Sequence, residues 1–314
     1  MALNDFSALD ALKPDTHFLL PQAQSKTSPV SNTRPKDTAV QPFRITQIPG
    51  AMRRMGWHTG AALMQRWFDT PKFEMSEEWK AHTPDARNLT AAECDETIVK
   101  MSWVTGYARA VEALRSVHGR MDSEPALLEL CAKLQKRQWD GAGYISLGHP
   151  NLSARLMDSI CQVNVLRFGE VSDRLDGMYG ALGVASVKIG LIGEAWQDSA
   201  TGRRLFRVQK SGVYVRDTYD FNGPQFLGIW TASRVLTKAE SVSVTVGGVD
   251  DPSIVRMEDE AFTMVWNRDF RRYRNETGKG GDFIIYSDVQ WMDENRVLDI
   301  TSAWERLHHQ GVPQ

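Results

Sequence analysis

"VASVKIGLIGEAW", Val184–Trp196, is where the chain changes character. Val187, Ile189 and Leu191 recur at a two-residue period among β-branched neighbours, the pattern of a strand with one buried face. Upstream, the apolar residues fall mostly at helical spacing; downstream, they mostly alternate. This order predicts an α+β fold, an N-terminal α-helical layer packed on a C-terminal mainly antiparallel β-sheet. Three regions follow: a mobile polar arm over 1–42, an α-helical region over 43–180, and an antiparallel β-rich region over 181–314 that includes a short basic helix.

The arm carries Pro14, Pro21, Pro29, Pro35 and Pro42 among polar residues, a composition too poor in apolar surface to offset chain entropy. Helical spacing begins at "FRITQIPGAMRRMGWHTGAALMQRWFDTP", with Pro49 suited to a helix start and Pro71 to its end. A second helix is predicted over Thr90–Val117, where Thr90 and Glu93 form a capping box. Others are predicted over Ser123–Trp139 and Leu152–Tyr179. After the switch, "RLFRVQKSGVYVRDTYD", "QFLGIWTA" and "SVSVTVGG" read as antiparallel partners, with Asn222-Gly223 as a hairpin turn. "FTMVW" then leads into the helix "RDFRRYRNE", stopped by Gly278, and "GGDFIIYSDVQWM" and "VLDI" supply late strands.

Composition excludes some function classes. The formal net charge is -2, which gives no global attraction to nucleic acid or anionic lipid. The 3 cysteines form no C-x-x-C pair, and the histidines form no H-E-x-x-H pattern, so neither a zinc site nor a disulfide framework is implied. No apolar run reaches transmembrane length, and no secretory signal opens the sequence. Synthesis in the cytoplasm, with export by a route that needs no cleaved signal, is the expectation.

Candidate chemistry concentrates in "RDTYDFNGPQFLGIW", Arg216–Trp230. Strand alternation puts Asp217 and Tyr219 on one face and Asp220 on the other, so the acids converge only if the chain bends between them. Converged, they would give a proton donor beside an ionised partner, or hold Mg²⁺. An Asn-Gly turn alone also accounts for the stretch, since Asp and Asn favour turns. A second constellation, "NRDFRRYRNETGKGGDF", puts Arg268, Arg271 and Arg272 along one side of a short helix, where they would clamp a phosphate or a carboxylate or pair with surface acids; Arg271, Arg272 and Arg274, with Asn222, are the candidate substrate-binding residues. Asp282 is placed to answer one of those arginines. His149, in the Gly- and Pro-bounded "YISLGHPN", is the best general acid or base among the histidines.

The stretches "PGAMRRMGWHTGAALMQRWFD", "VYVRDTYDFNGPQFLGIW" and "NRDFRRYRNETGKGGDFIIYSDV" resemble an uncharacterised bacterial family associated with type VI secretion loci. That resemblance implies an antibacterial effector or an associated protein, with spike or adaptor proteins and a cognate immunity protein as partners and the target-cell periplasm as destination. The D-x-Y-D pattern of Asp217, Tyr219 and Asp220 is similar to the colicin M group, which implies Mg²⁺-dependent hydrolysis of the lipid-linked peptidoglycan precursor. That group follows its second acid with a His-Arg pair, where this chain has Phe226-Leu227. A non-enzymatic adaptor or cargo-associated protein is the alternative, and a nuclease the third.

Overall fold

The alternating stretch from Val184 becomes the centre of a sheet. The structure, a computed structural model, describes residues 43–309 except 78–79, 81–84, 171, 238–239, 242–253 and 258–259. The predicted arm and nearly all of "SVSVTVGG" lie outside the described residues. In chain order the elements are α1 (Ile48–Arg54), α2 (His58–Asp69), β1 (Cys94–Asp95), α3 (Met101–Val104), α4 (Ala108–His118), α5 (Glu124–Lys136), β2 (Tyr144–Leu147), α6 (Ala154–Ile160), β3 (Gln162–Phe168) and α7 (Gly177–Leu182). The second half contributes β4 (Ala185–Gln197), β5 (Arg204–Tyr219), β6 (Phe226–Trp230), β7 (Ile254–Met257), β8 (Glu260–Trp266), α8 (Asn267–Thr277), β9 (Phe283–Tyr286), β10 (Gln290–Asp299) and α9 (Thr301–His309).

The α+β expectation holds. Long strands β4 and β5 pair antiparallel from Ser186↔Arg216 to Gln197↔Arg204. β2 and β3 both pair with β4, β9 and β10 with β5, and β1 pairs parallel with β9. A separate small sheet runs β6-β8-β7. The main core joins residues of both halves, among them Trp67, Leu114, Leu130, Met157, Ile189, Phe206, Val215, Ile284 and Trp304. The predicted helical and β-rich regions therefore share one interior.

Helix α6 sits close against the sheet because two glycines face each other across it. Gly190 and Gly212 are cross-strand partners. A Cβ on either would lie 2.5 or 2.7 Å from Met157 Cε. The missing side chains form the slot that seats Met157, which fixes the neighbouring Asp158.

Four sequence expectations need correction. The helix predicted over Thr90–Val117 is broken: the Glu93 carboxylate does accept from the Thr90 N–H at 2.8 Å, but it closes a turn before β1, and helix resumes as α3 and α4. The helix predicted over Leu152–Tyr179 ends at Ile160, and "QVNVLRF" is strand β3. The helix predicted up to Pro71 divides at Gly56, whose φ of 77° needs the left-handed conformation that glycine tolerates. Asn222-Gly223 is not a hairpin turn, for β6 pairs with β8 and not with β5. The predicted stop at Gly278 stands, with φ 68° and ψ 14° after α8.

Candidate functional site

At the end of β5 the chain leaves the large sheet for the small one, and the D-x-Y-D stretch is the crossing point. Tyr219 is turned into the core, stacked on Phe283 with ring centroids 5.1 Å apart, and its hydroxyl donates to Met64 Sδ at 3.7 Å. Burial pushes its phenol well above the usual tyrosine range. Two residues on, Phe221 stacks on Phe270 of α8 at 3.8 Å and meets Trp67 edge-on. These aromatic contacts bend the chain and pin the crossing.

The two acids meet different surroundings. Asp220 accepts from Lys80 Nζ at 2.8 Å and from the Asn222 N–H at 3.1 Å. Burial opposes the Lys80 charge, yet bonds to Asp220 and Glu77 hold that ammonium above its ordinary pKa. Asp217 is half-buried on β5 opposite Ile285. Burial pushes its carboxyl well above the carboxylate range, against the pull of the Thr218 backbone and Arg216, while Asp220 adds to the rise. Burial rather than repulsion between the two acids is the main cause of that rise. Asp220 is bonded to Lys80, so holding a divalent cation between the two acids would require that ion pair to open. Among the described residues no group of three or more His, Cys, Asp or Glu side chains is arranged to hold a metal ion.

Helix α8 does reach the crossing. Arg271 Nη1 donates to the carbonyls of Phe221 at 3.0 Å and Gly223 at 2.7 Å, so it braces the backbone rather than the acids. Arg272 is exposed and pairs with Asp269 one turn earlier. Arg274 is buried over the face of Trp67, donates to the Gly280 carbonyl at 2.9 Å, and pairs with Asp282, the partner anticipated from sequence. Asn222 donates to the Met75 carbonyl at 3.0 Å and accepts at its own carbonyl from Asn267. Arg268 lies over the Trp266 ring at 5.3 Å, so the arginines of α8 have separate contacts in this structure. His149 is exposed, and its ring accepts a local N–H, from Asn151 at 3.3 Å. It follows the end of β2, where Leu147 pairs with Gly193, which is itself opposite Val208, on the order of 20 Å or more along the sheet from Asp217 at ~3.3 Å per residue. His149 does not join the acids.

A second polar cluster escaped the sequence reading. Asp158 on α6 accepts from Lys188 Nζ at 2.6 Å and Tyr214 Oη at 2.8 Å through Oδ1, and from Tyr286 Oη at 3.2 Å through Oδ2. Arg216 Nε lies 3.8 Å from Oδ2. Burial lowers the Lys188 pKa, with Asp158 opposing that fall and Arg216 and Lys133 adding to it. Asp158 also lines a cleft of about 350 Å³ with Asp85, Arg87, Lys133, Lys136 and Ser159.

The outer face of the sheet carries a third feature. Tyr144 and Trp196 are directly paired across β2 and β4, and their rings stack at 6.1 Å with an interplanar angle of 12°. Arg207 lies over Trp196 at 5.3 Å, and Val297 is its partner on β10. Tyr144 is 79% and Val297 53% exposed.

Residues 43–301 match the model of a family of unknown function, DUF6402. The chain belongs to that family. The DUF6402 match spans both sheets, the Asp217–Asn222 crossing, helix α8 and the Asp158 cluster. No curated protein and no solved structure matches the chain. No helix among the described residues is long and apolar enough to cross a membrane.

Proposed function

We propose that this chain is a binding component of a type VI secretion system, a cargo-associated or adaptor protein that docks through the outer face of its large sheet. The carrying observation is the Tyr144–Trp196–Arg207 stack with Val297 beside it. Aromatic residues and arginine are enriched where proteins bind one another, and a soluble chain rarely leaves such a group uncovered without a use. The type VI context rests on the resemblance of three long stretches to a family encoded at those loci. The expected partner is a spike or adaptor protein, with secretion in its company into a target-cell periplasm. The D-x-Y-D stretch and the arginines of α8 then serve to hold β5, α8 and the small sheet together.

The test is co-purification of the full chain with the spike protein encoded at its own locus, alongside expression directed to cytoplasm and periplasm. A stable complex and unimpaired growth are expected, with the complex lost in Tyr144→Ser/Trp196→Ser. No complex would sink the proposal.

One observation favours the hydrolase reading. A carboxyl that keeps its proton near neutral pH is what a general acid requires, and Asp217 is raised in that direction. On this reading water attacks the phosphoester of the lipid-linked peptidoglycan precursor while Asp217 gives its proton to the departing oxygen, and a cognate immunity protein guards the producer. Periplasmic toxicity and precursor cleavage, assayed with and without Mg²⁺, would both vanish in Asp217→Asn. Toxicity that survives that substitution removes Asp217 from any mechanism.

A further inference from the structure

We propose that the docking partner adds an extended strand to the large sheet alongside β2, whose open backbone edge is the recognition element. This deepens the docking reading above and rests on it. β1, β2, β3 and β10 each pair with one neighbour in the large sheet, so each borders it. A border strand is a template for another chain unless something blunts it. β10 shifts register between Asp293 and Arg296, and Asp293, Arg296 and Asp299 are exposed charges along it. β3 shifts register between Gln162 and Asn164, the Asn164 side chain accepts the Val165 N–H at 2.8 Å, and Arg167 is exposed. β1 is only 2 residues long. β2, by contrast, contains no charge and no proline, and Tyr144–Leu147 pair with β4 without a register shift. Among the described residues no other backbone group bonds it.

In an antiparallel pair every second residue turns both its N–H and its C=O away from the partner strand. β2 therefore offers donors and acceptors in alternation on its free side, a pattern that another extended chain matches. So short a strand gives few such bonds, and side chains must supply the rest. The residue opposite Tyr144 falls on the outer face beside the Tyr144–Trp196 stack. The occupant is thus a partner segment without charge or proline over this stretch, with an aromatic or β-branched residue opposite Tyr144. A second copy of this chain fits less well. Pairing β2 with its own copy about a two-fold axis sets both stacks on the same side of the joined sheet, where Tyr144, 79% exposed, still faces solvent. A partner strand can carry its adjoining chain over the stack.

The experiment is hydrogen exchange of the full chain, alone and with the spike protein encoded at its own locus, with sedimentation of the chain alone. Alternate amides of Tyr144–Leu147 should slow about tenfold or more in the complex, and those of β10 should not change. Of Ile145→Pro and Ser146→Pro, one removes an N–H bonded to β4 and the other an N–H on the free edge. The edge variant should keep the wild-type unfolding midpoint and weaken retention by the spike protein about tenfold, the loss of backbone bonds to the added strand. If neither variant folds, the wild-type exchange pattern decides alone. A complex that forms without protecting β2, or that the folded edge variant leaves unweakened, overturns strand addition while the docking reading stands. No complex overturns both. A dimer of the chain alone that protects β2 gives the edge to a second copy and also overturns the proposal.

Discussion

Asp217 and Asp282 are both carboxyls that burial pushes upward, and their surroundings make opposite predictions for them. Asp282 is fully buried, accepts from Trp67 Nε1 at 3.0 Å and the Met75 N–H at 3.0 Å, and faces the buried Arg274. Replacing it with Asn leaves the buried guanidinium with only the exposed Glu74, 3.5 Å away, as counter-ion, so Asp282→Asn should lower stability by about 3 kcal/mol in urea unfolding. Asp217 lacks such a strong partner. Its folded pKa lies above the unfolded value near 3.9, so the protonated form favours folding below that value, and this contribution is lost as pH rises through the folded pKa. Asp217→Asn should therefore match the wild type near pH 4 and exceed it at pH 7–8, with a flatter dependence between, read from urea midpoints across that range. A wild type that instead gains stability over the same interval relative to the variant contradicts a raised Asp217. The sequence made the crossing legible, since an Asp-rich stretch before Asn-Gly marks a break in a strand. It could not separate acids that hold backbone from acids that do chemistry, because Lys80, the partner of Asp220, is 140 residues away in the chain. Asp158 was hidden for a related reason: Lys188, Tyr214, Arg216 and Tyr286 come from three different strands.

The two helices over-extended in the sequence reading failed at the same kind of place. Cys94–Asp95 and Gln162–Phe168 are strands because a neighbouring strand offers pairing, Ile284–Ile285 for the first and Ala185–Gly190 for the second. Local spacing cannot report that a distant partner outbids a helix hydrogen bond. β4 and β5 were legible, being long and strictly patterned, and so was α8, with its αL glycine stop. The Gly190–Gly212 pair shows what pattern reading leaves out, for glycine in a strand usually weakens it, whereas here it admits α6. A Cβ at Gly212 would lie 2.7 Å from Met157 Cε, 2.8 Å from Val289 Cγ1 and 2.9 Å from Trp291 Cζ3. Gly212→Ala should cost about 1–3 kcal/mol by overpacking, measured by denaturant unfolding. Adding Met157→Ala should recover less than half of that, because two of the three clashing side chains remain. Full recovery would mean that α6 alone is displaced.

At the scale of the whole molecule, the sheet has two different sides at its β2 end. Ile145, Ala195, Phe206 and Leu298 point inward, where Ala195 and Phe206 are fully buried and Leu298 nearly so. Their neighbours Tyr144, Trp196, Arg207 and Val297 point outward. The outward residues touch one another more than the core, so their removal separates folding from binding. Tyr144→Ser/Trp196→Ser should shift the unfolding midpoint little, within about 0.5 kcal/mol per site as for surface substitutions away from core features. In a partner complex the same pair should behave as hot spots, each costing about 2 kcal/mol or more, so that the double variant is lost from co-purification under washes the wild type survives. The exposed cross-strand partner Val297 provides the graded control: Val297→Thr keeps the β-branched shape and should weaken retention without abolishing it. If the double variant is as destabilised as a core substitution, the stack belongs to the fold, and the binding surface lies elsewhere on the chain. If it is stable and still retained by the spike protein, the outer face is not the docking surface. A stable variant that is no longer retained assigns the face to binding, because charge on the molecule as a whole, at a net -2, offers no general attraction to take its place.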